Sequence, residues 1–518
     1  MVSHFTADCR WLRETMQCGL ATMCLVFFTT NSFGQNPPAG AAIRLGIGQN
    51  GAEPNDFTAQ PILSSNGRFI AFSSRATNLL LGMPPTSGGR ESNYMQWYVY
   101  DRVTAVLDRV SVNNQGIPQN GPLDPNPSYA AAVTNTADIT ADGRYVVFDS
   151  PATNLVPNDF NNAWDVFLFD RVNRSIELVS KNGAGVQGTA DAKSPMFIDY
   201  QRERIAYTLP SEPGVGPYYV IKNLQNAQVT VLPTPGRRVN VRSLSRDGRF
   251  GACTGNTWDI STALEMIVYA ARCDFTNGTL IPIGIDSAGN YLSSSSAAIS
   301  ADGDTVIVGG AFAGSLRGNV VAWQASTGLL RLVSKSNQGR PSFATRRRSV
   351  SVSAHGRYVA WYDNDAFLGP RQPLPAETGV YAMYIHDLQT DYTYNAAFDL
   401  DGTFGGNFGV GENLPSTQPL SLSSNITLNP FVPLISADGR TLAFVSLWHR
   451  WVPGDTGVVS LPLPYSQYLD AFVAPLNLPA DTGVVIQPIP VPMLAPKMVL
   501  ALMVLLVGAG WVVLRMRE

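Results

Sequence analysis

Ile139-Thr-Ala-Asp-Gly-Arg-Tyr-Val-Val-Phe148 is one turn flanked by two strands, and the chain repeats it. Asp-Gly supplies the positive φ of a tight hairpin, and alternating apolar residues on either side form antiparallel strands. Close copies are Leu63-Ser-Ser-Asn-Gly-Arg-Phe-Ile-Ala-Phe72 and Ile435-Ser-Ala-Asp-Gly-Arg-Thr-Leu-Ala-Phe444. Three further copies run Leu244–Cys253, Ile299–Val308 and Val352–Trp361, and a degenerate one, Ile198–Tyr207, brings the number to seven. A fixed self-similarity of this length is the mark of a repeat architecture.

A second strand pair follows most hairpins, as in Trp97–Arg102 with Leu107–Val112 and Asp165–Arg171 with Ile176–Ser180. Four strands make one propeller blade, and seven blades stacked radially close a ring. The seventh unit has a third strand near Tyr468–Val473 but no fourth. Ala42-Ile-Arg-Leu-Gly-Ile-Gly-Gln-Asn-Gly51 resembles the closing strand of the first unit. Residues 42 to 48 are therefore expected to complete the seventh blade and remove the open edge.

Composition agrees with an all-β chain. Of 518 residues only 14% are charged, while 45% are hydrophobic and 46 Gly and 36 Pro interrupt any long helix. A net charge of −3 excludes the electrostatic footprint of a general nucleic-acid binder.

The Ser-Ala-Asp-Gly-Arg-x-x-x-Phe hairpin, with Ala152-Thr-Asn-Leu-Val-Pro157 and Asp165-Val-Phe-Leu-Phe-Asp-Arg171, resembles the WD40-like Pro-Asp repeat of TolB-type bacterial propellers. Ala, Ser or Arg stands here where that repeat has Pro. The resemblance implies a six- or seven-bladed propeller with a binding role and no chemistry of its own.

The ends read as targeting segments. Residues 1–34 carry Arg10 and Arg13, an uncharged stretch from Cys18 to Phe28, and Ser32 and Gly34 before an expected cut at Gln35. An uncleaved anchor is the alternative. Met498 to Leu514 is an apolar run flanked by Pro488, Pro490, Pro492 and Pro496 and by Arg515 and Arg517, at the short limit of a spanning helix. With Ile489-Pro490-Val491-Pro492-Met493-Leu494 it resembles bacterial C-terminal sorting signals of the IPTL and PEP type, although the Thr-Leu-Ser-Glu-Trp core is missing. That resemblance implies processing by a sortase-like protease.

Candidate chemistry is sparse. Among four histidines, His4 lies in the leader, His355 takes a turn position held by Asp elsewhere, His386 precedes Asp387 at a strand end, and His449 follows Trp448. None has metal-type spacing, and no Gly-x-Ser-x-Gly elbow or Walker loop is present. Asp159, Asn161 and Asp165 could surround calcium, with Asx-turns as the alternative. Arg346-Arg-Arg348 reads as a loop tip. Trp97, Trp164, Trp323, Trp361 and Trp448 suit packing between blades, with a carbohydrate platform as the alternative. After leader removal only Cys253 and Cys273 remain; the hairpin register does not set them opposite, so pairing is left open.

The expectation is an all-β, seven-bladed propeller of four-stranded antiparallel blades plus a C-terminal transmembrane helix. Residues 1–34 form the signal, 35–480 the propeller, 481–497 a Pro-rich linker, and 498–518 the helix and basic tip. The expected role is an exported, membrane-tethered, non-catalytic module that binds protein or glycan at the bacterial envelope. An envelope enzyme, a glycan lyase or hydrolase working at the channel mouth, is the alternative. No catalytic, cofactor or metal residue is assigned and no cofactor is expected. The partners are an envelope protein or polysaccharide and the membrane through the C-terminal helix, with no nucleic acid and a monomeric propeller.

Overall fold

In a computed structural model, the described residues are 42–48, 53–56, 58–80, 95–120, 136–198, 204–209, 218–232, 239–258, 266–283, 296–309, 318–343, 350–363, 382–396, 433–446 and 470–482, with Gly51, Ser294 and Leu368. They form seven four-stranded antiparallel sheets, six of them meanders and the seventh three consecutive strands completed by residues 43–44. In chain order the blades span 58–109, 137–178, 193–231, 239–282, 296–332, 350–395 and 434–475. The leader, the C-terminal apolar run, His449, Trp448 and Arg346–Arg348 lie outside the described residues. Among the described residues no helix is long and apolar enough to cross a membrane.

The seventh blade closes as expected. Ile43–Arg44 is its outermost strand, with Ile43 opposite Val473 and Arg44 opposite Phe472. Leu45 N–H donates to Ala471 O at 2.7 Å, and the Arg44 guanidinium meets Asp470 at 2.6 Å and Glu53 at 3.1 Å. An edge strand's unpaired backbone is thereby satisfied by the other end of the ring.

Each letter of the repeat has a physical task, seen in blade 2. Thr140 Oγ1 donates to Asp142 at 2.6 Å and accepts from Tyr145 N–H at 3.0 Å, fixing the turn. Gly143 has φ +68°, and a Cβ there would lie 2.3 Å from the Phe69 ring of blade 1. Arg144 forms a fork with Asp170 at 3.1 and 2.8 Å, and its guanidinium stacks on Tyr145. Arg171 donates to Gly143 O at 2.7 Å. The turn, the sheet and the neighbouring blade are therefore locked by one short motif.

The core lies in the seams between blades. Seven apolar clusters each combine residues of two adjacent blades, such as Trp97, Phe148 and Phe167 between blades 1 and 2. Trp97 and Trp361 are fully buried in this way. Polar latches cross the same seams: Asp138 accepts from Phe197 N–H at 2.9 Å, Ser243 from Ile299 N–H at 2.9 Å, and Ser351 from Ile435 N–H at 3.1 Å. At the corresponding position blades 1, 3, 5 and 7 carry Ile62, Phe197, Ala298 and Leu434, so the latches occur only at the 2–3, 4–5 and 6–7 seams. Between blades 3 and 4 Tyr219 takes over, its hydroxyl donating to Val241 O and accepting from Val241 N–H.

That seam, beside the degenerate repeat, also holds Cys253 and Cys273. As the hairpin register implies, they are not opposite each other: Cys273 lies within the third strand, diagonal to Cys253, whose direct partner is Ala271. The two cysteines form a disulfide with Cα atoms 6.2 Å apart.

His355 stands where the other described turns carry Asp or Asn, and a distant residue supplies the missing carboxylate. Asp481 accepts from Ser353 Oγ at 2.6 Å and from His355 N–H at 2.9 Å.

Candidate functional site

A meander places the hairpin turns of every blade on one rim of the ring, and the second-to-third strand and blade-to-blade connections on the other. The first rim is built from tight turns. Its turns are tied into a chain by main-chain bonds: Arg246 N–H to Ala301 O, Ala301 to Ala354, Ala354 to Ala437, and Ala437 to Ser65, at 2.7 to 3.1 Å. The other rim receives all the long connections, and loops placed on a rigid scaffold are where sites are usually built.

On that rim, side-chain clasps hold the connections. The family-like Ala152-Thr-Asn-Leu155 grips Asn120: Asn120 N–H donates to Asn154 Oδ1 at 2.8 Å, and Thr153 N–H to Asn120 Oδ1 at 2.9 Å. Asn55 is held by Thr77 and Asn78 in the same way.

The seam between blades 2 and 3 gathers chemistry on this rim. Asn158 and Asn162 take positive φ, which Asn tolerates, and fold the loop before the strand Asp165–Asp170. Gln187 Nε2 then bridges Asp159 Oδ1 at 2.8 Å and Asp165 Oδ2 at 2.7 Å. Asn161 Nδ2 also donates to Asp165 Oδ2 at 2.9 Å, and Ser180 donates to Asp165 Oδ1. Asp159, Asn161 and Asp165 are thus brought together, but amide and hydroxyl donors fill the space between the two carboxylates. Among the described residues no group of three or more His, Cys, Asp or Glu is placed to hold a metal.

Trp164 is half-buried, and its main-chain N–H donates to Asp191 Oδ1 at 3.1 Å. Lys193 pairs with Asp191 at 2.9 Å and sits 4.7 Å from the centre of the Trp164 ring. Partial burial works against ionisation of Asp191, but the Lys193 hydrogen bond and charge prevail and hold it below the usual carboxylate range. Asp159 moves upward, through burial first and the nearby Asp165 charge second, against the Gln187 hydrogen bond. Deeper in the seam, Asp149 accepts from Thr136 N–H at 2.7 Å and Ser194 N–H at 2.9 Å. Burial pushes Asp149 and Asp138 up to about 6. Phe160, beside Asp159, is 76% exposed.

The described histidines stay apart from this site. His386 is fully buried on the outer side of blade 6, with Nδ1 3.0 Å from Thr393 Oγ1 and Nε2 3.3 Å from Asp391. Among the described indoles, Trp323 is half-buried within a seam and Trp164 reaches the cluster. Sequence reading singled out Asp159, Asn161, Trp164 and Asp165 but missed Gln187, Asp191 and Lys193, which arrive from the next connection and blade.

No family model and no curated protein matches the chain. Among solved structures, an oligogalacturonate lyase in complex with manganese is similar at 10% identity and a TM-score of 0.49, covering 85% of this chain and 95% of that one. The β-propeller domain of the Trilobed protease from Pyrococcus furiosus has 12% identity, a TM-score of 0.40, and coverage of 68% and 86%. A putative TolB from Agrobacterium tumefaciens has 11% identity, a TM-score of 0.33, and coverage of 82% and 91%. The expectation of a non-catalytic module is not upheld: the similar solved structures include a lyase beside a putative TolB. What stands on the chain's own seven sheets is the architecture, a seven-bladed β-propeller of the kind the TolB-like resemblance implies.

Proposed function

We propose that the chain is a glycan-cleaving enzyme, a hydrolase, working on the long-connection rim at the seam of blades 2 and 3. The observation that carries this reading is a pair of half-buried carboxyl groups at one seam, Asp159 and Asp191, whose proton affinities are pushed in opposite directions. Two carboxyls so divided suit glycosidic cleavage, one holding a proton for the leaving oxygen and the other ionised to activate water. Asp159 takes the first role and Asp191 the second, with Lys193 keeping Asp191 charged and Trp164 offering a ring face to a sugar. A proton donor set beside an ionised carboxylate that activates water suits hydrolysis over elimination. Export, through the leader-like first 34 residues, belongs to the same proposal.

The test is to incubate the full chain with neutral, amino-sugar and uronate oligosaccharides and follow new reducing ends and the ultraviolet absorbance of unsaturated products. Reducing ends without that absorbance, reduced at least about a hundredfold by Asp159→Asn or Asp191→Asn, are expected. No turnover of any glycan, or unchanged rates in both variants, overturns the reading.

A further inference from the structure

The hairpin of blade 2 departs from the repeat at one buried position. Asp149 follows Phe148, and the residues at the same place in the other blades are Ser73, Thr208, Thr254, Gly309, Tyr362 and Val445. Asp149 is fully buried, and a carboxylate sunk in an apolar seam is costly unless donors surround it. Thr136 N–H donates to its Oδ1 at 2.7 Å, while Thr136 Oγ1 and Ser194 N–H both donate to its Oδ2 at 2.9 Å. The Ser194 donor crosses the seam from blade 3.

That donor sits at an irregularity. Ser194 has φ +54°, in the left-handed region that serine rarely adopts, and the pairing of the first two strands of blade 3 shifts register between Lys193 and Met196. A bulge re-aims the side chain beside it, here Lys193. Thr208 Oγ1 donates to the Lys193 carbonyl at 2.9 Å, and the Lys193 ammonium lies 2.9 Å from Asp191 and 4.7 Å from the centre of the Trp164 ring. Blade 1 has a similar bulge at Gln60, φ +52°, and there the tie is local: Ser73 of the same blade reaches Ala59 O at 3.2 Å and Gln60 Oε1 at 3.0 Å. With Asp149 in the place of Ser73, the tie runs between blades instead.

We propose that Asp149 is a positioning residue of the blade 2–3 site, holding the Ser194 bulge across the seam so that Lys193 stays between Asp191 and the Trp164 ring. Its catalytic consequence rests on the hydrolase reading; the placement of Lys193 does not.

The experiment follows the emission of Trp164 in the full chain, taken as the difference from Trp164→Phe. Lys193→Met removes the ammonium from the indole and should shift that emission. Asp149→Ala should reproduce at least about half of the shift and add little in a Lys193→Met background. Asp138→Ala, which frees Phe197 N–H in the same seam but leaves the bulge tied, should change it little. On any glycan the chain cleaves, Asp149→Ala should lower kcat/KM at least about tenfold and move the acid limb of the pH–rate profile upward, because Asp191 loses the ammonium that keeps it ionised. Far-ultraviolet circular dichroism verifies the fold, and Asp149→Asn replaces Asp149→Ala if the latter loses its β spectrum. Unchanged Trp164 emission in Lys193→Met or in the Asp149 variant, or an equal change in Asp138→Ala, overturns the proposal. Coupled emission with no glycan cleaved supports the positioning and overturns only the hydrolase reading.

Discussion

The two rims of this ring solve opposite problems with the same strands. The tight-turn rim spends its side chains on itself: in turns such as Thr140–Arg144 the hydroxyl, Asp, Gly and Arg are consumed by turn, sheet and neighbouring blade. The long-connection rim at blades 2 and 3 leaves a half-buried Trp164, an exposed Phe160 and carboxyls with displaced proton affinities. Rigidity on one rim is what allows unreconciled chemistry on the other.

Substitutions that break this contrast should range widely in effect. The largest is Gly143→Ala, which forces a Cβ against Phe69 in a backbone conformation that Ala disfavours; a loss of about 3 kcal/mol or more in denaturant unfolding is expected. A comparable loss, about 3 kcal/mol, is expected for Arg44→Ala, since Asp470 then stays partly buried without its cation and the ring latch weakens.

Smaller effects sharpen the comparison. Asp149 and Asp138 have folded affinities raised to about 6 from 3.8, so the stability they allow is full below pH 4 and is lost as pH rises through 6. Arg144-paired Asp170, held at about 2 by its hydrogen bonds and the Arg144 charge against the cost of burial, has the opposite sign, and its contribution is lost as pH falls from 4 to 2. Melting temperature followed against pH should therefore fall less between pH 4 and 7 in Asp149→Asn than in the unaltered chain. Asp481→Asn should cost about 1 kcal/mol, and less than half of that in a His355→Asp background. The smallest effect on stability is expected for Phe160→Ala, within about 0.5 kcal/mol, because its ring packs on little.

The blades, their number and the latch at Ile43 and Arg44 were legible in the sequence because turn chemistry and strand alternation are local and recur. The disulfide stayed open in the sequence because opposition in register is not the only route to bonding distance: Cys253 and Cys273 meet diagonally across one strand pair. His355 was legible as a departure from the repeat, but nothing local announced that its remedy lies 126 residues downstream.

Seven copies of one hairpin, most with an Asn-Gly or Asp-Gly turn and four with an arginine paired to the aspartate that ends the third strand, were dictated by the chain itself, since each needs only neighbours within a few tens of residues. Which side chains converge at a seam was decided only by closure of the ring. Asp191 and Lys193 join Asp159 and Trp164 because blade 3 packs on blade 2, and Asp481 meets Ser353 because the tail returns across the rim. Those are long-range juxtapositions, set by how whole sheets pack and invisible in the spacing of residues along the chain.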